Sequence, residues 1–275
     1  MDTRHCPVVL VHGWKSHSGV WKRFLPSLEE RLIPSWNFNY CSMHDPCLAD
    51  IAHALGDFIR TRREETAYNG PVDMVCHCMG TCISRYLLEI IDGTNRQECV
   101  RQLIGLGPPN NGSSIAELFC DPGLGREMIG LLSGVFIPEG FDPAEDTIVR
   151  EFRPGSPTMA SLRSAERRPD IRYRIILTRN ISRTPDFFSL FDGKTWQFSP
   201  EDGWIQTYEG DGIVPHTDSF LPGADHRLLP VSLGPFIGSP HLYSHLHLPY
   251  NPEVMEEVMS YLLNPPPPLC RDASS

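Results

Sequence analysis

Two rhythms of apolar residues divide this chain. One consists of short unbroken runs rich in β-branched and aliphatic residues, which predict buried strands. These runs are "CPVVLVHG" (6–13), "SWNFNYC" (35–41), "PVDMVCH" (71–77), "VRQLIGLGPP" (100–109) and "RYRIILTRN" (172–180). The other rhythm places apolar residues three or four apart and predicts helices. It is clearest at 48–65, where Leu48, Ile51, Ala52, Leu55, Phe58 and Ile59 share one face. Helices are also predicted at 19–32 with a kink at Pro26, at 80–91, and at 251–263, where Pro252 suits a first turn. Further strand-like runs lie at 204–215 ("WIQTYEGDGIVP") and 226–233 ("HRLLPVSL").

Strand–helix–strand alternation implies an α/β protein with a mostly parallel central sheet flanked by helices. The alternation pauses twice. Residues 113–165 mix apolar helical pieces with Gly and Pro, and an aromatic stretch carries Phe187, Phe188, Phe191, Trp196, Phe198 and Trp204. The expected organisation is one domain over 1–264 with lid or cap insertions at about 113–165 and 182–204, then a Pro-rich flexible tail over 265–275. The 275 residues suffice for one large core, and no internal repeat is visible.

Composition narrows the partners. A formal net charge of −10 argues against non-specific nucleic-acid binding and against an anionic membrane surface. No run of about 18 apolar residues exists, so stable membrane insertion is not expected. Nine cysteines without a framework spacing, behind a start that lacks a secretory pattern, are expected to be mostly free thiols in a cytoplasmic setting.

Parallel sheets keep their reacting groups at the carboxyl ends of strands. Three such ends carry candidates: His12-Gly13-Trp14 after the first strand, Cys78 in "MVCHCMGT" after the third, and Asp211 in "GDGIVP", followed by His241, His245 and His247. The cysteines at 76, 78 and 82 look at first like a metal set, as does "CSMHDPC" (41–47). A zinc site needs converging ligands, which strand-end geometry does not provide for the first group, and the second has no fourth partner. No metal and no cofactor is expected.

At these residues the chain resembles the α/β-hydrolase superfamily, in particular its small lipase/esterase/thioesterase-like members. Their nucleophile elbow reads G-x-S-x-G; here "CHCMGT" puts Cys78 in the serine position, with Cys76 for the first glycine and Gly80 for the second. "LGPPNNGSS" (106–114), "GDGIVP" and "HLHLPYNPEV" (245–254) resemble other stretches of that group, so the likeness spans roughly 6–263. It implies a triad of Cys78, His245 and Asp211. Asp211 is preferred over Asp202, Asp218 and Asp225 by its flanks, and His245 over His241 and His247 by its spacing to "NPEV". Met79 and Trp14 would give backbone N–H groups to an oxyanion hole, with His12 holding the loop and His77 packing the elbow. Phe187, Phe188, Phe191 and Trp196 would line an acyl pocket.

A thiol in that position favours a thioester intermediate, because a histidine and a helix N-terminus lower the pKa of a cysteine below about 8.5. Polyhydroxyalkanoate synthases and some carrier-protein thioesterases combine this fold with a cysteine nucleophile; the chain is short for the former. The resemblance therefore implies an acyl-transfer enzyme acting on an ester or an acyl thioester, small or carrier-bound, by release to water or to a hydroxyl. The alternatives are a conventional carboxylester hydrolase or lipase, and a non-catalytic hydrolase-like binding protein.

Overall fold

A computed structural model of the chain describes residues 5–199 and 201–265; the expected tail from 266 onward lies outside the described residues. The described residues form eight strands: β1 (Val8–Val11), β2 (Ser35–Phe38), β3 (Val72–His77), β4 (Val100–Leu106), β5 (Arg172–Thr178), β6 (Thr195–Ser199), β7 (Gly203–Thr207) and β8 (Asp225–Leu229). Six of them make one parallel sheet in the order β2-β1-β3-β4-β5-β8, and β6 and β7 pair separately as an antiparallel hairpin. Parallel strands are covered on both faces and therefore read as continuous apolar runs. Every residue of β1 and β3 is buried accordingly, whereas the edge strands β2 and β8 keep partly exposed residues.

The connections are α1 (Phe24–Glu30), α2 (Leu48–Thr66), α3 (Met79–Arg85, continuing as a π-helical turn over Tyr86–Ile91), α4 (Ser114–Phe119), α5 (Gly125–Leu132), α6 (Thr147–Phe152) and α7 (Pro157–Ser164), with a closing helix Pro252–Leu263. α2 starts at an unusual capping box. The Cys47 sulfur accepts the Asp50 N–H at 3.4 Å, and the Asp50 carboxylate accepts the Cys47 N–H at 3.1 Å. The helix stops at Ala67 in the left-handed region, φ 50°. The closing helix is tied to the sheet where Gln102 Nε2 donates to the Tyr261 carbonyl (3.1 Å) and Arg174 lies 4.1 Å over the Tyr261 ring.

Three elements differ from the sequence pattern. The helix expected over 19–32 is a 3-10 turn, Ser18–Trp21, followed by α1. Pro26 does not kink it, because it lies in the first turn of α1, where an N–H has no intrahelical acceptor to lose. The run at 204–215 is a strand only as far as Thr207 and belongs to the hairpin, so Asp211 sits in a loop beyond it. The hairpin's first strand, Thr195–Ser199, falls in what the sequence presents as an aromatic loop. Among the described residues no helix is long and apolar enough to cross a membrane. Among the described residues seven cysteines (Cys6, Cys41, Cys47, Cys76, Cys78, Cys82 and Cys120) are free, and Cys99 is disulfide-bonded.

Candidate active site

From β1 the sheet grows in both directions, with β2 on one side and β3 on the other. Where strand order reverses in this way, the loops leaving the two strands diverge and open a crevice. Gly13 and Trp14 leave β1 on one side of it, and Cys78 leaves β3 on the other. Cys78 has φ 54° and ψ −128°, a strained backbone that an L-residue adopts only when its surroundings impose it. Its N–H donates to the Leu106 carbonyl (2.9 Å), and α3 begins at the very next residue. The turn fits because two glycines pass close by. A Cβ at Gly80 would lie 2.4 Å from the Val11 carbonyl oxygen, and one at Gly13 would lie 2.8 Å from the Cys78 Cβ. Cys76 tolerates its elbow position by turning its sulfur to Ser84 Oγ at 3.2 Å, while Cys82 donates to the Pro109 carbonyl at 3.4 Å.

The loop after β1 is fixed from beneath. His12 stacks on Tyr40 with ring centroids 4.0 Å apart. With its proton on Nδ1 it donates to the Gly13 carbonyl (2.9 Å) and accepts the Tyr40 N–H at Nε2 (3.3 Å). The Tyr40 hydroxyl donates to the same Gly13 carbonyl at 2.7 Å. Burial lowers the pKa of His12, which keeps the ring neutral in this role. With the Gly13 carbonyl held down, the Trp14 N–H is left free, and among the described residues the Met79 N–H at the start of α3 has no acceptor either. Both flank Cys78.

His245 meets Asp211 at 2.7 Å through Nδ1 and Oδ2, with both side chains buried. The carboxylate is itself set by its loop, since Oδ1 accepts the N–H groups of Ile213 (3.1 Å) and Val214 (2.7 Å). The Asp211 carbonyl accepts the His245 N–H at 2.8 Å, and His77 Nε2 reaches the His245 carbonyl at 2.9 Å. His77 is thus a strut for the histidine loop, kept uncharged by burial, which pushes its pKa well down. Among the described residues the far nitrogen of His245, Nε2, is buried with no oxygen or nitrogen partner, and Cys78 adjoins it. Burial alone would depress this ring's pKa, but the Asp211 carboxylate, and after it the adjacent Cys78, outweigh burial and raise it to about 10. His247 instead sits 3.1 Å from Ser244 Oγ and edge-on to His241. Of the competing carboxylates, Asp225 pairs with Arg172 at 2.6 Å and Asp218 accepts from Ser114.

No protein-family model and no curated protein matches this sequence. Solved structures match its shape. The mature lipase BlEst2 of Bacillus licheniformis aligns over 95% of this chain and 93% of its own, with a TM-score of 0.64 and 18% identity. Phospholipase PlaB of Legionella pneumophila covers 94% of this chain with 63% of its own (TM-score 0.61, 17% identity). The metagenomic carboxyl esterase MGS0156 covers 96% with 77% of its own (TM-score 0.59, 14% identity). The chain has the α/β-hydrolase fold.

On this hydrolase fold an apolar pocket adjoins the thiol. Its walls include Trp14, Met79, Ile115, Phe119, Phe136 and Phe152, with Ile213 and Val214 contributed by the acid loop. The expectation that Phe187, Phe188, Phe191 and Trp196 line it is corrected by their positions. Phe187 stacks on Phe236 at 6.0 Å, and Phe188 packs edge-on to Phe191 at 5.2 Å. Phe188 also abuts Gly212, where an added Cβ would fall 2.7 Å from its ring. Trp196 lies on the separate hairpin. Phe188 thus supports the acid loop from behind. The pocket comes instead from 113–152, part of the stretch whose broken pattern predicts an insertion. Helical spacing at Ile115, Ala116 and Phe119 was the available signal.

Proposed function

We propose that the protein is a cysteine-nucleophile acyl-transfer enzyme that acts on an ester or an acyl thioester through an acyl-enzyme on Cys78. The observation that carries this reading is the unpartnered Nε2 of His245 beside Cys78, on a ring whose other nitrogen is held by Asp211. An imidazolium stable to about pH 10 is a ready counterion for a thiolate and a ready acid for a leaving group.

In the first half-reaction the Cys78 sulfur attacks the acyl carbon, and the carbonyl π pair moves to oxygen. The Met79 and Trp14 N–H groups receive that oxyanion. Collapse breaks the bond to the leaving alkoxide or thiolate, which takes the proton from His245 Nε2. In the second half, neutral Nε2 accepts a proton from water or an alcohol as that oxygen attacks the thioester. Collapse returns the sulfur as thiolate and restores the imidazolium. Asp211 keeps the ring oriented and stabilises its charge throughout. A small or carrier-bound acyl group is the proposed substrate.

Iodoacetamide tests the reading directly. One fast-reacting thiol is expected to map to Cys78, with Cys78→Ala losing activity and intact mass showing an acyl adduct on the parent only. Inactivation that maps elsewhere, or full activity in Cys78→Ala, overturns it. The lipase, phospholipase and carboxyl esterase neighbours favour a second reading, an ordinary ester hydrolase that works through a thiol. Cys78→Ser separates the two: a serine variant faster on oxygen esters and on thioesters alike removes the case for transfer.

A further inference from the structure

The pocket beside Cys78 is small and only partly enclosed. Its volume is about 40 Å3. A water-sized group needs roughly 10–15 Å3 of such space, so the cavity takes about three heavy atoms. Cys78 itself is only 9% exposed.

The segment 133–146, which joins α5 to α6, flanks it. Phe136 and Phe141 of this segment pack on Trp14 at 5.7 Å and 5.6 Å, and Phe141 also meets Phe119 at 5.6 Å. At the segment's end Asp146 pairs with Lys15 Nζ at 2.8 Å, and the same ammonium lies over the Trp14 and Phe141 rings. Phe136 differs from its neighbours in two ways. Its ring stands edge-on to His245 at 6.2 Å. And of the side chains lining the pocket, only Phe136 and Trp14 are more than slightly exposed; the rest are buried. The Phe136 ring is therefore a partition, with the pocket and His245 on one side and solvent on the other.

We propose that the enzyme selects short acyl groups, of about two to four carbons by the space available, and that Phe136 is the residue that sets this limit. The inference rests on the acyl-enzyme reading above and names its substrate class. An acetyl-to-butyryl chain fits the cavity as it stands. A longer chain leaves most directly past the Phe136 ring: Ile115, Phe119 and Phe152 are buried, and the other partly exposed wall, Trp14, together with Met79 and Ile148 parts the cavity from a second one of about 300 Å3. Truncating that ring opens the pocket to solvent without removing any of Cys78, His245, Asp211, Met79 or Trp14.

The test uses the full chain with p-nitrophenyl acetate, butyrate, octanoate and dodecanoate, read by kcat/KM and by intact mass of the acyl-enzyme. For the parent, kcat/KM is expected to fall at least tenfold from butyrate to octanoate. Phe136→Ala should reduce that ratio to threefold or less, and Phe136→Leu should fall between. Phe119→Ala, which enlarges a buried wall, should leave octanoate poor. A parent that handles octanoate as well as butyrate, or an unchanged chain-length profile in Phe136→Ala, overturns the proposal while leaving the triad reading intact. Absence of a Cys78 adduct with every ester overturns both.

Discussion

At the scale of single residues, the site depends on a ring whose charge is stabilised by two neighbours. The pKa of His245 lies near 10 rather than 6.5 because Asp211, and after it Cys78, overcome burial. A folded-state pKa above the unfolded one contributes stability that is complete below about pH 6.5 and lost as pH rises through about 10. Activity that needs the imidazolium follows the same limb. The kcat/KM of the parent is therefore expected to decline on the alkaline side near pH 10. Asp211→Asn removes the largest influence raising this pKa, so its alkaline limb should move down by at least one pH unit; pH–rate profiles of both proteins check this. An unmoved limb would mean that another group titrates. The strained backbone at Cys78 was partly legible in advance, since the second elbow glycine stands in the sequence. Gly13 was not recognised as part of the same fit, because its closeness to Cys78 exists only once β1 and β3 are neighbours.

Between elements, the pocket wall is attached to the acid loop by one carboxyl group. Asp218 accepts the Ser114 N–H at 2.6 Å and the Ser114 hydroxyl at 3.1 Å, at the start of α4. Asn110 and Asn111 add bonds to the carbonyls of Ser219 (2.8 Å) and Thr217 (2.9 Å). The "NNGS" stretch thus holds Ile115 and Phe119 against Ile213 and Val214, the two sides of the pocket. Burial, only partly offset by the bonds from Ser114, pushes Asp218 up to about 7. The native state therefore keeps a proton that the unfolded chain releases near 3.8, and stability falls as pH rises between these values. Urea midpoints at pH 5 and pH 8 should differ less in Asp218→Asn than in the parent. Asp218→Ala, which strands the Ser114 N–H and hydroxyl, should cost about 1–3 kcal/mol at both. Strand positions were legible because fully buried parallel strands leave unbroken apolar runs. The β6–β7 hairpin was not, because its alternation (Trp196 and Phe198 set between Thr195, Gln197 and Ser199) is short and sits among turn-forming residues. The direction in which Phe187, Phe188 and Phe191 face was equally hidden, since that is decided by Phe236 and Gly212, which are distant in sequence.

For the molecule as a whole, the sheet has two open edges to protect. β8 does so with "DHRLL", where Asp225, His226 and Arg227 are exposed and the charged pair members reach Arg172 (2.6 Å) and Glu257 (3.1 Å). Charged edge residues discourage pairing with a second sheet. Replacing Asp225 and Arg227 together by Val should leave a flat apolar edge, and light scattering is expected to show concentration-dependent association that the parent lacks. The groups brought together at the site lie far apart along the chain. Cys78 belongs to the first half of the sequence, whereas Asp211 and His245 arrive only after β5 and the hairpin have been laid down. Contacts of such long sequence separation form late, once the intervening chain has been ordered. Under the proposed reaction the sulfur therefore meets its histidine and carboxylate only when the last third of the chain has docked, and its acylation would report that folding is complete.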